Sequence, residues 1–132
     1  MKVLTRQEAI DILYGCTVVG TGGGSLAAGL RMIEKDYDEG KALKLMSLEE
    51  IPDDGLVASP YGCGATLCEG EEADPQYKDL PRLSDSSAVL AFKTLEEYMG
   101  EKFCAVSSTE LGGENTAEAM HIAMSLDRPL AD

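Results

Sequence analysis

Residues 103 to 123 read FCAVSSTELGGENTAEAMHIA, and the order of properties along that stretch decides the fold. Phe103 to Ser107 is the best strand in the sequence, a short run in which apolar residues dominate. Ser108-Thr109-Glu110-Leu111-Gly112-Gly113-Glu114-Asn115 follows as a loop punctuated by a glycine pair. Asn115-Thr116-Ala117-Glu118 then reads as a capping-box-like helix start, and Ala119, Met120, Ile122, Ala123 and Leu126 give that helix a packed side. Arg128-Pro129-Leu130-Ala131 opens one more strand. Strand, loop, helix and strand in this order predict a parallel pairing with a right-handed crossover.

Working back towards the N-terminus, Asp85 or Ser86 caps a helix whose apolar face is Val89, Leu90, Phe92, Leu95 and Met99, and Gly100 ends it. Leu56 to Ser59 reads as a buried strand, Pro52-Asp53-Asp54-Gly55 as a turn, Ser47 to Ile51 as one helical turn, and Lys41 to Met46 as a strand. Ser25 caps a helix with the stripe Leu26, Leu30 and Ile33; Arg31, Glu34, Lys35 and Asp36 lie on its other side, and Gly40 stops it. Thr5-Arg6-Gln7-Glu8 is a capping box for a first helix carrying Ala9, Ile10, Leu13 and Tyr14, expected to end near Gly15, with Met1 to Leu4 running straight into it. The fold class is therefore α/β, a mostly parallel sheet with helices packed on it. Residues 61–84, rich in Gly, Pro and acidic side chains, form a long acidic loop that is either a lid or a solvated connection.

The chain has 132 residues, the size of one domain, with 24 acidic against 11 basic residues and a formal charge of −13. Such a field repels nucleic acid and anionic lipid, so neither is an expected partner. No apolar run reaches the roughly 18 residues of a membrane span, and no secretory leader is visible, which places the protein in the cytoplasm. Cys16, Cys63, Cys68 and Cys104 form no CxxC pair and share no zinc spacing with the single histidine, His121, so free thiols and no metal are expected. His121 is read as a packed or surface histidine, and Cys16 and Cys104 as core residues.

Chemistry concentrates in three glycine loops. In the first, VVGTGGGSLAAG at 18–29, the dinucleotide fingerprint lacks its third glycine, and no lysine lies between Lys2 and Lys35 to serve a phosphate loop. What survives is a close backbone approach at Gly22, Gly23 and Gly24, with the helix N-terminus at Ser25 offering N–H groups to a carbonyl or oxyanion. The second loop carries Gly62, Cys63, Gly64 and Ala65; the third carries Thr109, Glu110, Gly112, Gly113 and Asn115. The second and third follow strands of a parallel sheet, so they emerge at one carboxyl edge, where a small molecule can be enclosed. Glu110 is the candidate general base or orienting acceptor, against the alternative of a carboxylate that only caps its turn. Cys63 is a candidate nucleophile or simply a small residue in a tight loop, since no histidine is near in sequence. The residues leave any cofactor open.

Taken together, DILYGCTVVGTGGG, LEEIPDDGLVASPYGCGAT and LEEYMGEKFCAVSSTELGGENTAEAMHIAMSLDRPLAD resemble the N-terminal domain of the S-methyl-thiohydantoin desulfurase family, whose members are often encoded near hydantoin-utilisation genes. The resemblance covers nearly the whole chain and is most specific at Gly20 to Gly24, Gly62 to Thr66 and Glu110 to Asn115. It implies a three-layer α/β domain that, in longer members, continues after the equivalent of Pro129 to Asp132 into a Gly/Asp-rich loop and a second, mainly β domain. Residues 1–132 would then be the truncated N-terminal part of a two-domain protein. The sequence departs from the family at Cys63, where a methionine is expected, at Thr66 for proline and at Ser25 for glycine.

Two functions follow from that resemblance. One is a desulfurase- or hydrolase-like domain acting on small cyclic amides or thioamides, with glycine-loop N–H groups holding ring carbonyls and Glu110 moving a proton. The other is a non-catalytic binding or assembly subunit of a hydantoin-utilisation enzyme. Either predicts self-association or contact with the missing domain.

Overall fold

The computed structural model describes residues 1–20, 24–62, 79–81 and 83–131. Among these residues five strands form one sheet in the order β1-β2-β5-β4-β3. They are β1 (Lys2–Leu4), β2 (Leu43–Met46), β3 (Val57–Ala58), β4 (Ala105–Ser107) and β5 (Pro129–Ala131). β1 runs antiparallel to β2, and every other pairing is parallel. Among the described residues four α-helices accompany the sheet: α1 (Arg6–Val19), α2 (Leu26–Asp38), α3 (Ser87–Met99) and α4 (Gly113–Ser125). The expected mostly parallel α/β fold is what the chain adopts.

Register explains where the core sits. Leu4 pairs with Leu43, Leu45 with Leu130, and Leu130 with Val106, so these side chains share one face of the sheet. In one core cluster with them are Ala9 and Leu13 of α1, Ile33 of α2, Val89 and Phe92 of α3, and Ala117, Met120 and Met124 of α4. Met120 is fully buried, and truncating such a side chain to alanine costs about 2–5 kcal/mol. The last strand of the chain, β5, is the middle strand of the sheet.

Several boundaries differ from the sequence reading. The first residues form β1 rather than entering a helix directly, because a strand at Lys2–Leu4 can pair with β2. α1 continues four residues past Gly15, since its hydrogen bonds run on to the Gly20 amide on Cys16 O at 2.7 Å. β3 has two residues, not four, and is not buried: it is an edge strand with β4 as its sheet neighbour, and Val57 is 36% exposed. On α3, Ser86 is the cap, and Leu90, Leu95 and Met99 are exposed while Glu96 is buried. α4 starts at Gly113, two residues before the expected Asn115 cap, because Thr116 Oγ1 accepts the Gly112 amide at 3.4 Å from inside the first turn. Asp36, expected on the solvent side of α2, is 1% exposed. Its reason lies at the far end of the helix pair, described below.

α2 and α4 make the closest helix contact. Gly29 lies on the Gly113 carbonyl, and Gly113 lies on the Leu26 backbone, with no room for a Cβ on either glycine. Small residues at the crossing set the two N-termini side by side.

Candidate functional site

Those adjoining N-termini draw two of the glycine loops together. Ser25 caps α2, its hydroxyl accepting the Ala28 amide at 3.4 Å, while its own N–H donates to Glu114 Oε2 at 3.1 Å. Gly24, at φ +81°, lies against Glu114, where a side chain would collide, so left-handed backbone and close approach both require glycine here. Gly20 lies equally close to the Leu111 carbonyl. The first loop thus joins the third at both of its described ends. A carboxylate at two neighbouring helix N-termini is electrostatically favourable. No side chain caps α4, whose N-cap is Gly112.

The second loop arrives at the same rim. β3 and β4 are parallel, so the loops that follow them leave the sheet on one edge. A Cβ on Gly62 would have Glu118 Oε2 at 3.8 Å and Asn115 Oδ1 at 3.9 Å, both on α4. Gly24, Ser25, Gly62, Glu110, Gly112, Gly113 and Asn115 therefore gather around the start of α4, with Thr109 in the approach from β4. Gly22, Gly23, Cys63, Gly64 and Ala65 lie outside the described residues, as does most of the acidic segment 61–84.

Glu110 is exposed and holds φ +48°, and the Asn115 side-chain amide donates to its carbonyl at 3.4 Å. A non-glycine residue in the left-handed region marks a turn held by its surroundings. Asp127, at φ 52°, shares that conformation away from the rim. The carboxylate that sequence reasoning missed is Glu118. It is half-buried, and burial first, then the charge of Glu114, push its carboxyl above the usual carboxylate range, with His121 opposing. In sequence it looks only like the fourth position of a cap; its one available signal was lying one turn beyond Glu114.

The other end of α2 and α4 is built differently. Asp36 accepts Lys41 Nζ at 2.6 Å on one oxygen and meets His121 Nδ1 at 2.6 Å on the other, while Lys41 also reaches Ser125 Oγ at 3.3 Å. Burial pushes the Asp36 carboxyl up, but the His121 and Lys41 hydrogen bonds outweigh it and hold it below its ordinary value. The packed-or-surface reading of His121 resolves to a largely buried histidine paired with Asp36. Buried Glu96 is treated alike: it accepts Lys102 Nζ at 2.7 Å and the Phe103 amide at 3.0 Å, and meets Arg128 at 3.4 Å. Cys16 and Cys104 are free thiols and only partly buried. Among the described residues no three His, Cys, Asp or Glu side chains are placed to hold a metal ion. None of the described helices is long and apolar enough to cross a membrane.

A mixed α/β domain with helix N-termini and glycine loops at one rim is the class these observations define. The profile of the S-Me-THD-like N-terminal domain matches residues 7–132. The chain belongs to the S-Me-THD-like family, as its N-terminal domain. Its fold is similar to that of a Chromobacterium violaceum protein solved by X-ray crystallography, with TM-score 0.67 and 20% identity over 100% of this chain. The chain spans 34% of that protein's length. No curated protein matches it.

Proposed function

We propose that the rim around the start of α4 is one wall of a binding site for a small cyclic amide or thioamide of the hydantoin or S-methyl-thiohydantoin type, and that the domain serves a hydrolase- or desulfurase-like reaction. One observation carries this reading: the α4 N-terminus meets Gly24 and Ser25 of the first loop and lies beside Gly62 of the second. Backbone N–H groups at such a rim suit a ring carbonyl or the oxyanion that forms when water adds to it. Glu110, exposed at the mouth, is the group to take the proton from that water. Family membership supports the ring class, since the family takes its name from it.

Titrating the 132-residue chain with hydantoin and S-methyl-thiohydantoin while following backbone amide resonances tests the reading. Shifts are expected at Ser25, Gly62 and Glu110 to Asn115. Silence at millimolar ligand, or shifts confined to the Asp36 end, overturns it.

A second reading, a non-catalytic assembly subunit of a hydantoin-utilisation enzyme, is favoured by the apolar end of α1. Val18 is 84% exposed and Val19 70%, next to the rim. Sedimentation of Val18→Lys against the parent chain separates the two: loss of a larger species supports assembly, and an unchanged species argues against it.

A further inference from the structure

His121 is the single histidine of the chain, and the fold commits only one of its two ring nitrogens. Nδ1 lies 2.6 Å from Asp36 Oδ2, and since an ionised carboxylate can only accept, the hydrogen sits on Nδ1. Nε2 has no partner among the described residues. The ring keeps 18% of its surface exposed and lines a polar cavity of about 340 Å³ between α4, the end of α2 and the start of α3.

Lys35, Lys41 and Lys93 line the same cavity, three of the chain's 11 basic residues on a molecule of charge −13. The acids there are Glu39 and Asp85, with Asp36 buried behind the imidazole. Lys41 reaches Asp36 at 2.6 Å and Glu39 at 3.0 Å, Lys93 reaches Asp85 at 2.7 Å, and Lys35 lies 3.8 Å from Glu39. These charges cancel, so the wall is neutral while the imidazole is neutral and gains one positive charge when Nε2 is protonated. Glu118, on the preceding turn of α4, also feels that charge. Donors remain to spare: among the described residues Lys93 uses one of its three N–H groups, and Ser86 Oγ accepts the Val89 amide, which leaves its O–H to donate.

We propose that this cavity is a second binding site, for a small oxyanion such as a carboxylate or sulfate, and that it takes up the anion together with a proton on His121. The imidazolium Nε2–H, the Lys93 ammonium and the Ser86 hydroxyl donate to the anion, while Asp36 holds the ring through Nδ1. A neutral His121 would instead turn a lone pair towards the anion from a wall without net charge, so that form does not bind. The site lies at the opposite end of the α2–α4 pair from the glycine-loop rim and stands independently of the cyclic-amide reading.

Sulfate is the probe, because it stays a dianion across neutral pH, and the ring resonances of the one histidine report its binding directly. In titrations of the 132-residue chain at constant ionic strength and about pH 6, sulfate is expected to move the His121 ring signals saturably in the millimolar range. The affinity should fall about tenfold by about pH 8, because histidine discharges across that interval. Acetate in a parallel arm separates a general oxyanion site from one that prefers a tetrahedral ion, and saturable binding of either supports the proposal. Lys93→Gln, at an exposed side chain, weakens binding by about threefold or more, and His121→Gln, checked for folding by its thermal melt, abolishes the pH dependence. Ring shifts that chloride reproduces at equal ionic strength, an affinity that does not change with pH, or unchanged binding in folded Lys93→Gln each overturn the site. So does a ring that stays silent to both anions at about 50 mM, well above the millimolar range in which a charge-assisted contact saturates.

Discussion

The two ends of the α2–α4 pair place acidic side chains in opposite circumstances. At the C-terminal end, buried Asp36 has a cation on one oxygen and an imidazole on the other. At the N-terminal end, half-buried Glu118 has a carboxylate, Glu114, as its charged neighbour one turn away. A buried charge that is fully paired serves packing, because removing a partner exposes the full desolvation cost. A carboxyl pushed upwards by burial and a like charge has no such pairing, and perturbed groups of this kind cluster at functional sites. The contrast sets a buried, fully paired acid against a half-buried acid beside a like charge on one pair of helices.

The most drastic way to break the comparison is to separate the helices themselves. Gly113→Val places a side chain into the Leu26 backbone, and a loss of about 3 kcal/mol or more, read by urea denaturation, is expected. Both ends then fail together. If Gly113→Val is tolerated, the glycine contact does not hold the two N-termini in place.

Next in size is Asp36→Ala, which strands Lys41 and His121 and costs about 3 kcal/mol. The pH dependence sharpens the point. The folded-state pKa of Asp36 is depressed, so its contribution is present above the unfolded value near 3.8 and lost as pH falls through the folded one. Acid unfolding of the parent should therefore shift when Asp36→Asn removes this group. The smallest effect has the reverse sign. Because the folded pKa of Glu118 is raised, protonation favours the fold and that contribution fades as pH rises through the folded value. Glu118→Gln is expected to leave stability unchanged or raise it by no more than about 0.5 kcal/mol at neutral pH. A large destabilisation by Glu118→Gln would put this carboxyl in the same structural class as Asp36 and erase the contrast.

The sequence made some elements plain and hid others, for identifiable reasons. Caps at Thr5 and Ser25, and at Ser86 as one of the two candidates for α3, are local chemistry, in which a hydroxyl meets an amide three residues on. The loops after β3 and β4 were legible because parallel strands must send them to one edge. Asp36 was not legible: helical periodicity put it beside Glu34 and Lys35, and its burial is explained by Lys41 together with His121, 85 residues later. Glu118 was hidden in the same way, since Gly62, which its carboxyl faces, is 56 residues earlier in the chain. α3 misled in part for a different reason, because Val89 and Phe92 of its expected apolar face are buried while Leu90, Leu95 and Met99, at similar spacing, are exposed and Glu96 is buried.

What the sequence determined alone is the α/β class, the starts of α1, α2 and α3 and the presence of glycine loops, because each depends on side chains within one turn or one strand of each other. Tertiary structure decided that the last strand is central, that α2 and α4 touch through Gly29 and Gly113, and that one end of the pair neutralises its buried acid while the other leaves an acid facing a loop. Those outcomes depend on groups that meet only when distant segments pack, and a group's charge state follows from its neighbours rather than from its own identity.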